Sequence, residues 1–89
     1  MQITFNPQKN SINIVKHGVS LGDAAKLEWD SALIWQDLRY NYNEIRMIGL
    51  APLGTRLYHV VYTDRDEVRR IISLRKANNR EKKYYVYHY

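Results

Sequence analysis

The 89-residue sequence predicts an α+β fold of two layers, in which helices pack on a mostly antiparallel sheet. Two observations carry the helices. Asn6-Pro7 is a helix start, with Asn as N-cap and Pro at the first helical position. Asn78 followed three residues later by Glu81 has the spacing of a capping box. The third observation carries the sheet. Between residues 44 and 75, three apolar and β-branched runs are separated only by short turn signals, and that implies an antiparallel meander.

Taken in order, residues 2–5 alternate polar and apolar and form a short first strand. In the helix after Pro7, Ile12 and Val15 share a face, with Ile14 close by. Lys16 and His17 fall in its last turn, where positive charge complements the carbonyl end. Gly18 supplies the left-handed stop. Ser20 caps a second helix, Asp23 stands three residues on, and Val19 and Ala24 have the spacing of a hydrophobic staple. Ala24, Ala25, Leu27 and Trp29 are its expected buried residues.

Residues 32–36 form a short apolar strand, and residues 37–43 are polar and turn-rich. Residues 44–50 read as a strand with Ile45 and Met47 on one face and Arg46, Ile48 and Leu50 on the other. Ala51-Pro52-Leu53-Gly54 is a turn. Residues 56–63 are a β-branched and aromatic strand, and Asp64-Arg65-Asp66 turns into the last one. In residues 69–75, strict alternation places Ile72 and Leu74 on the core face with Val68 and Arg70. Arg69, Ile71, Ser73 and Arg75 occupy the opposite face. A C-terminal helix starts at Asn79.

Residues 1–89 are expected to make one domain with a small core. At 45% hydrophobic and 26% charged residues, the composition is that of a globular protein. There is no cysteine, so disulfides and thiolate metal sites are excluded, and a cytoplasmic location is expected. No apolar run approaches the roughly 20 residues of a membrane helix. The N-terminus lacks the basic-then-apolar form of a signal peptide.

The net charge of +5 is unevenly placed. Residues 65–83 hold eight Lys/Arg against three acids, and this surplus of five equals that of the whole chain. A field so concentrated suits a phosphate backbone. His17, His59 and His88 are far apart and fit no metal-binding spacing, and no glycine-rich loop is present to cradle a nucleotide cofactor. No metal or cofactor is therefore expected. One reaction requires neither, because RNA carries its own nucleophile in the 2′-OH. A protein has to align it, stabilise the developing charge and move two protons. Arginine suits the charge, and tyrosine, of which there are eight, can stack on unpaired bases.

A family resemblance sharpens this. Its residues are Asn13 with Lys16-His17-Gly18-Val19-Ser20; Glu44 and Arg46; Leu57 with Val60-Val61-Tyr62-Thr63 and Arg65; and Arg70-Ile71-Ile72-Ser73 with Arg75, Ala77, Arg80-Glu81 and Tyr84. Over nearly its full length the chain resembles the BrnT family of toxins from bacterial type II toxin–antitoxin modules. It departs from the family at Phe5-Asn6-Pro7, where an acid is common after an aromatic, at Ala51, where Gly is common, and in residues 39–43, which lack the usual acids. The resemblance implies a RelE-like fold and a metal-independent endoribonuclease that stops translation. It implies a co-expressed BrnA-like antitoxin with a ribbon-helix-helix part, and contact with operator DNA only through the toxin–antitoxin complex. No membrane partner is implied.

The expected catalytic residues are Arg75, Arg46, Lys16, His17, Glu81 and Tyr84, with Arg65, Arg69, Lys76 and Arg80 as RNA-binding cations. Each has a plainer reading. Lys16 and His17 suit a helix end, Glu81 a capping box and Tyr84 helix packing, while His59 reads as a packed sheet residue. Arg69 and Arg70 face opposite ways. Without the resemblance, the residues support a compact basic domain that is a nucleic-acid-binding module or a cationic surface for an acidic protein.

Overall fold

The computed structural model describes residues 1–89. Its elements are β1 (Gln2–Thr4), α1 (Pro7–His17), two 3-10 turns (Leu21–Lys26 and Trp29–Ser31), β2 (Leu33–Gln36), β3 (Met47–Leu53), β4 (Arg56–Arg65), β5 (Val68–Lys76) and α2 (Asn79–His88). The five strands form one sheet in the order β1-β5-β4-β3-β2. The meander β3 to β5 is antiparallel, as expected, and β2 also pairs antiparallel with β3. β1 runs parallel to β5 along its outer edge, so the sheet is mixed. No helix is long and apolar enough to cross a membrane.

The caps fall where the local chemistry requires them. Asn6 Oδ1 accepts from the backbone N–H of Gln8 and Lys9, and Pro7 opens α1. Gly18 closes it with φ of 72°, a left-handed conformation that costs a residue with Cβ more than glycine. Ser20 caps the next segment. That segment is a 3-10 turn rather than the expected second α-helix. In α2, Asn78 and Glu81 form the reciprocal capping box.

The core lies on one face of the sheet. Leu21 and Ala24 from the first 3-10 turn and Leu27 just after it meet Ala51, Tyr58, Val60, Tyr62, Ile71 and Leu74 from β3, β4 and β5. Trp29 is half-buried at its margin, and Ala25 is exposed, contrary to expectation. β3 continues past Leu50 to Leu53 through Pro52, in place of the expected turn. Pro52 lies beyond the last residue paired with β2, so its missing N–H breaks no ladder on that side.

The expected faces of β5 are overturned. Val61 pairs with Ser73, but Tyr62 pairs with Ile71, so Ile72 bulges out of the ladder. The extra residue resets the alternation. Ile71 and Leu74 therefore both enter the core, and Ile72 does not. On α1 the apolar face is not the buried one. Val15 is 89% exposed and Ile12 is 64% exposed, while the buried residue is Asn13. Its amide spans the edge of β5. Nδ2 donates to Leu74 O at 2.8 Å and to Val19 O at 2.9 Å, and Oδ1 accepts from Leu74 N at 3.3 Å. Asn13 thus continues the pairing that β1 begins on β5, and α1 is anchored by hydrogen bonds to a strand edge instead of by an apolar stripe.

Candidate functional site

The face of the sheet away from the core carries the chemistry. Side chains alternate along β4, so Tyr58, Val60 and Tyr62 enter the core while His59, Val61 and Thr63 face the other way. The register then defines three rows across that face: Leu50, His59 and Arg75; Ile48, Val61 and Ser73; Thr63 and Arg70. The outer rows are four residues apart on β4, roughly 14 Å. α1 runs along the β5 side, with Asn6 and Lys9 beside Arg70 at one end and His17 near Arg75 at the other.

At the Arg75 end, Glu81 holds the guanidinium in a two-pronged ion pair, with Nη1 to Oε1 and Nη2 to Oε2 both 2.8 Å. Oε1 also accepts from Asn78 N at 2.9 Å. The capping-box acid is therefore also the arginine's partner. Burial would raise the Glu81 carboxyl, but the hydrogen bonds from Arg75 and Asn78 outweigh it and hold the carboxyl below its ordinary range. Burial, Lys16 and Arg75 all push His17 down, so it is biased toward the neutral imidazole. Beside the pair, a hollow of about 280 Å³ is lined by Trp35, Leu50, Arg80, Glu81 and Tyr84. Trp35 and Tyr84 meet edge to face at 5.6 Å, and each ring is partly exposed.

His59 is 7% exposed in the same row as Arg75. Its Nε2 lies 3.8 Å from Glu81 Oε2, and its buried Nδ1 has no hydrogen-bond partner. Burial and the Arg75 charge lower its pKa, and Glu81 offsets only part of this.

At the far end a second, more polar hollow of about 210 Å³ is lined by Asn6, Lys9, Tyr42, Glu44, Arg46, Arg70, Ile71 and Ile72. Arg46 donates from Nε to Glu44 at 2.9 Å, and its guanidinium sits 4.1 Å over the Tyr42 ring. The loop that delivers Tyr42 is ordered by buried Asp37. Asp37 takes two hydrogen bonds of 2.8 Å from Arg39 and one of 3.0 Å from the Tyr42 hydroxyl. Its carboxyl is held far below the usual range, chiefly by the Arg39 hydrogen bond.

The ten residues expected at the site separate into groups. Arg75, Glu81, His17, Tyr84 and Arg80 come together at one end, with Lys16 exposed next to His17. Arg46 lies at the other end. Arg65, exposed at the end of β4, is near enough to Glu44 to help lower its pKa, after the larger effects of Arg46 and Arg70. Arg69 and Lys76 do not join either group. Arg69 lies over the rings of Trp29 and Tyr62, at 4.6 and 4.2 Å, with both Asp64 oxygens on its guanidinium. Lys76 pairs with Tyr58 on β4 and lines a hollow of about 430 Å³ with Arg56, Leu57, Lys82, Tyr85 and others.

Sequence reasoning passed over Trp35, Lys9 and Tyr42, read His59 as a packed sheet residue, and left Arg70 out of the expected site in favour of Arg69. The one available signal was a histidine in the middle of an otherwise apolar strand. No three His, Asp or Glu side chains gather so as to hold a metal ion. Chemically, the face offers fixed guanidinium groups at two ends, a biased-neutral imidazole beside one of them and ring faces at its margin. A family model described as "Ribonuclease toxin, BrnT, of type II toxin-antitoxin system" matches residues 5–81. No curated protein matches the chain.

Proposed function

The chain belongs to the BrnT family of ribonuclease toxins of type II toxin–antitoxin systems, and from that premise we propose that it cleaves RNA by 2′-OH attack on the adjacent phosphate, without a metal, on the face between Arg75 and Arg46. The observation that carries this reading is the Arg75–Glu81 pair with His17 beside it. Glu81 holds the guanidinium fork in place. A phosphate offers oxygens to the same fork, and the five-coordinate transition state adds negative charge where Arg75 is already oriented. His17, biased toward neutrality, is suited to accept the 2′-OH proton near pH 7. Lys16, exposed at the same helix end, adds positive charge for the leaving strand. Trp35 and Tyr84 present ring surface to an unpaired base. Arg46, Arg70, Lys9 and Arg65 bind phosphates farther along the strand, and Arg80 adds charge at the α2 end.

On this reading the fold is RelE-like and the protein acts in the cytoplasm to stop translation. As a toxin of a type II system it has a protein antitoxin as partner. We take that antitoxin to be BrnA-like, with a ribbon-helix-helix part that alone contacts operator DNA.

The test is incubation of purified protein with RNA in EDTA. Cleavage that leaves 2′,3′-cyclic phosphate ends is expected, with Arg75→Ala reduced by a factor of 10² or more. Substrate bearing 2′-deoxyribose at the cut position is expected to resist. Folded protein that binds RNA in a salt-sensitive way yet leaves it intact would overturn the catalytic reading in favour of a binding module.

A further inference from the structure

The position of His59 is not used by the chemistry above. It is buried in the sheet, faces an ion pair across one row, and has one ring nitrogen without a partner. The charged groups around it come from three elements. Arg75 lies on β5, Glu81 on α2, and Arg39 follows β2 with its guanidinium already committed to Asp37. In the free protein the near pair is neutral as a unit, with one guanidinium and one carboxylate. The carboxylate is held by Arg75 on both oxygens and by Asn78 on Oε1, and 3.8 Å to His59 is too long for a hydrogen bond.

A phosphate arriving at Arg75 changes both conditions. It competes with Glu81 for the same fork. It also brings a negative charge that leaves the half-buried cluster with an uncompensated anion. Glu81 stays tethered at Oε1 by Asn78 N, so loss of Arg75 frees Oε2 to pivot. A movement of about 1 Å brings Oε2 within reach of His59 Nε2.

Building on the RNA-cleaving reading, we propose that phosphate binding at Arg75 hands Glu81 over to His59, and that His59 takes up one solvent proton as this happens. The balance is simple. Neutral His59 carries its hydrogen on Nε2, where it donates to Glu81. The unpartnered Nδ1 lone pair receives the incoming proton. The cluster of guanidinium, carboxylate, phosphate and imidazolium is again neutral. His59 is a positioning residue: it touches Glu81, not the RNA. Its effect is to hold the displaced carboxylate away from the phosphate while Arg75 is occupied.

The experiment is calorimetric titration of the full chain with a 2′-O-methyl oligoribonucleotide, which binds but has no free 2′-OH with which to cleave. It is run at pH 7 and constant salt in two buffers of different ionisation enthalpy. Uptake approaching one proton per RNA is expected, with affinity rising by up to tenfold per unit fall in pH. His59→Gln and Glu81→Gln should abolish the uptake, and His17→Gln should leave it in place. Imidazole 15N NMR of the unmutated chain checks the same point without relying on a variant. The His59 nitrogens should shift to the protonated pattern when the oligonucleotide is added. Binding without proton uptake, or uptake that disappears in His17→Gln and persists in His59→Gln, overturns the hand-off. In that case cleavage of ordinary RNA still stands. Failure of the folded chain to bind the oligonucleotide at all overturns both.

Discussion

Replacing Asn13 with alanine should cost more stability than any other truncation on α1, although its apolar neighbours are larger. Its side chain holds the N–H and C=O of Leu74, both at the buried edge of β5, and the C=O of Val19. Alanine leaves these groups without partners. A stranded buried backbone group costs about 1–3 kcal/mol. Two such groups on Leu74, with a smaller loss at the part-buried Val19 carbonyl, give about 3–5 kcal/mol. Against a total stability of roughly 5–15 kcal/mol, that is a large fraction. At about 4–8 °C per kcal/mol for a domain of this size, the melting temperature should fall by at least about 12 °C. Denaturant and thermal unfolding measure it, with Ser11→Ala as the control. Ser11 is exposed on the same helix, and its hydroxyl bonds only to Pro7 O, so that change should stay within about 0.5 kcal/mol. A loss below about 1 kcal/mol for Asn13→Ala would refute the reasoning, because water would then be able to replace the amide. The same variant has a functional reading. Asn13 fixes the helix that presents Lys9 and His17, so cleavage should fall even well below its melting temperature.

Other outcomes follow from the same geometry. Arg69→Ala should lower stability by about 1–3 kcal/mol, since the residue lies over two rings and bonds Asp64, yet leave the salt dependence of RNA binding unchanged; a flattened salt slope would place it on the RNA face after all. The double change Arg46→Ala with Arg70→Ala should reduce the slope of log affinity against log salt by about 2 without abolishing cleavage of a short substrate, as read in a filter-binding series. Stability should fall on acidification in two stages. His17 and His59 have lowered pKa values in the folded chain, so below pH about 6.5 the unfolded chain binds protons that the folded one refuses. Glu81, Glu44 and Asp37 are also lowered, and the unfolded carboxylates add a second loss as pH passes below about 4.5. His59→Gln should reduce the first stage; stability that rises between pH 7 and 5.5 would contradict the assignment.

What could be read from the sequence was local. The caps at Asn6, Ser20 and Asn78 and the stop at Gly18 depend on neighbours within a few residues, and all stand where expected. The meander was legible because its turns are short. The faces of α1 and β5 were not. Apolar spacing assumes that a helix buries its greasiest side, whereas α1 is held by one amide on a strand 61 residues away. Alternation assumes an unbroken ladder, whereas Ile72 bulges opposite a position set by β4. The site suffered from the same blindness. Glu81 was recognisable as a capping acid because Asn78 is close in sequence, and its grip on Arg75 spans only six residues. His59 could not be placed beside them until the register of β4 against β5 was known.

The surplus of positive charge in residues 65–83 is therefore an incomplete guide to where RNA lies. That segment sends Arg70 and Arg75 to one face and Arg69 to the other, and Lys76 to a hollow of its own. What separates the arginines is the kind of partner each has. Arg69 has a carboxylate together with two ring faces, and no phosphate can replace the rings. Arg75 has one carboxylate and no ring, beside a partly open hollow, and Arg46 has one carboxylate and a single ring, Tyr42, in another, so in each a phosphate can reach the fork and exchange for the carboxylate. Such a carboxylate orients the guanidinium in advance, and an incoming phosphate supplies the charge that releasing it from these mostly buried pairs would otherwise leave uncompensated. Exchangeable pairing, more than charge density, is why the face between Arg46 and Arg75 is the one proposed to receive the sugar–phosphate chain.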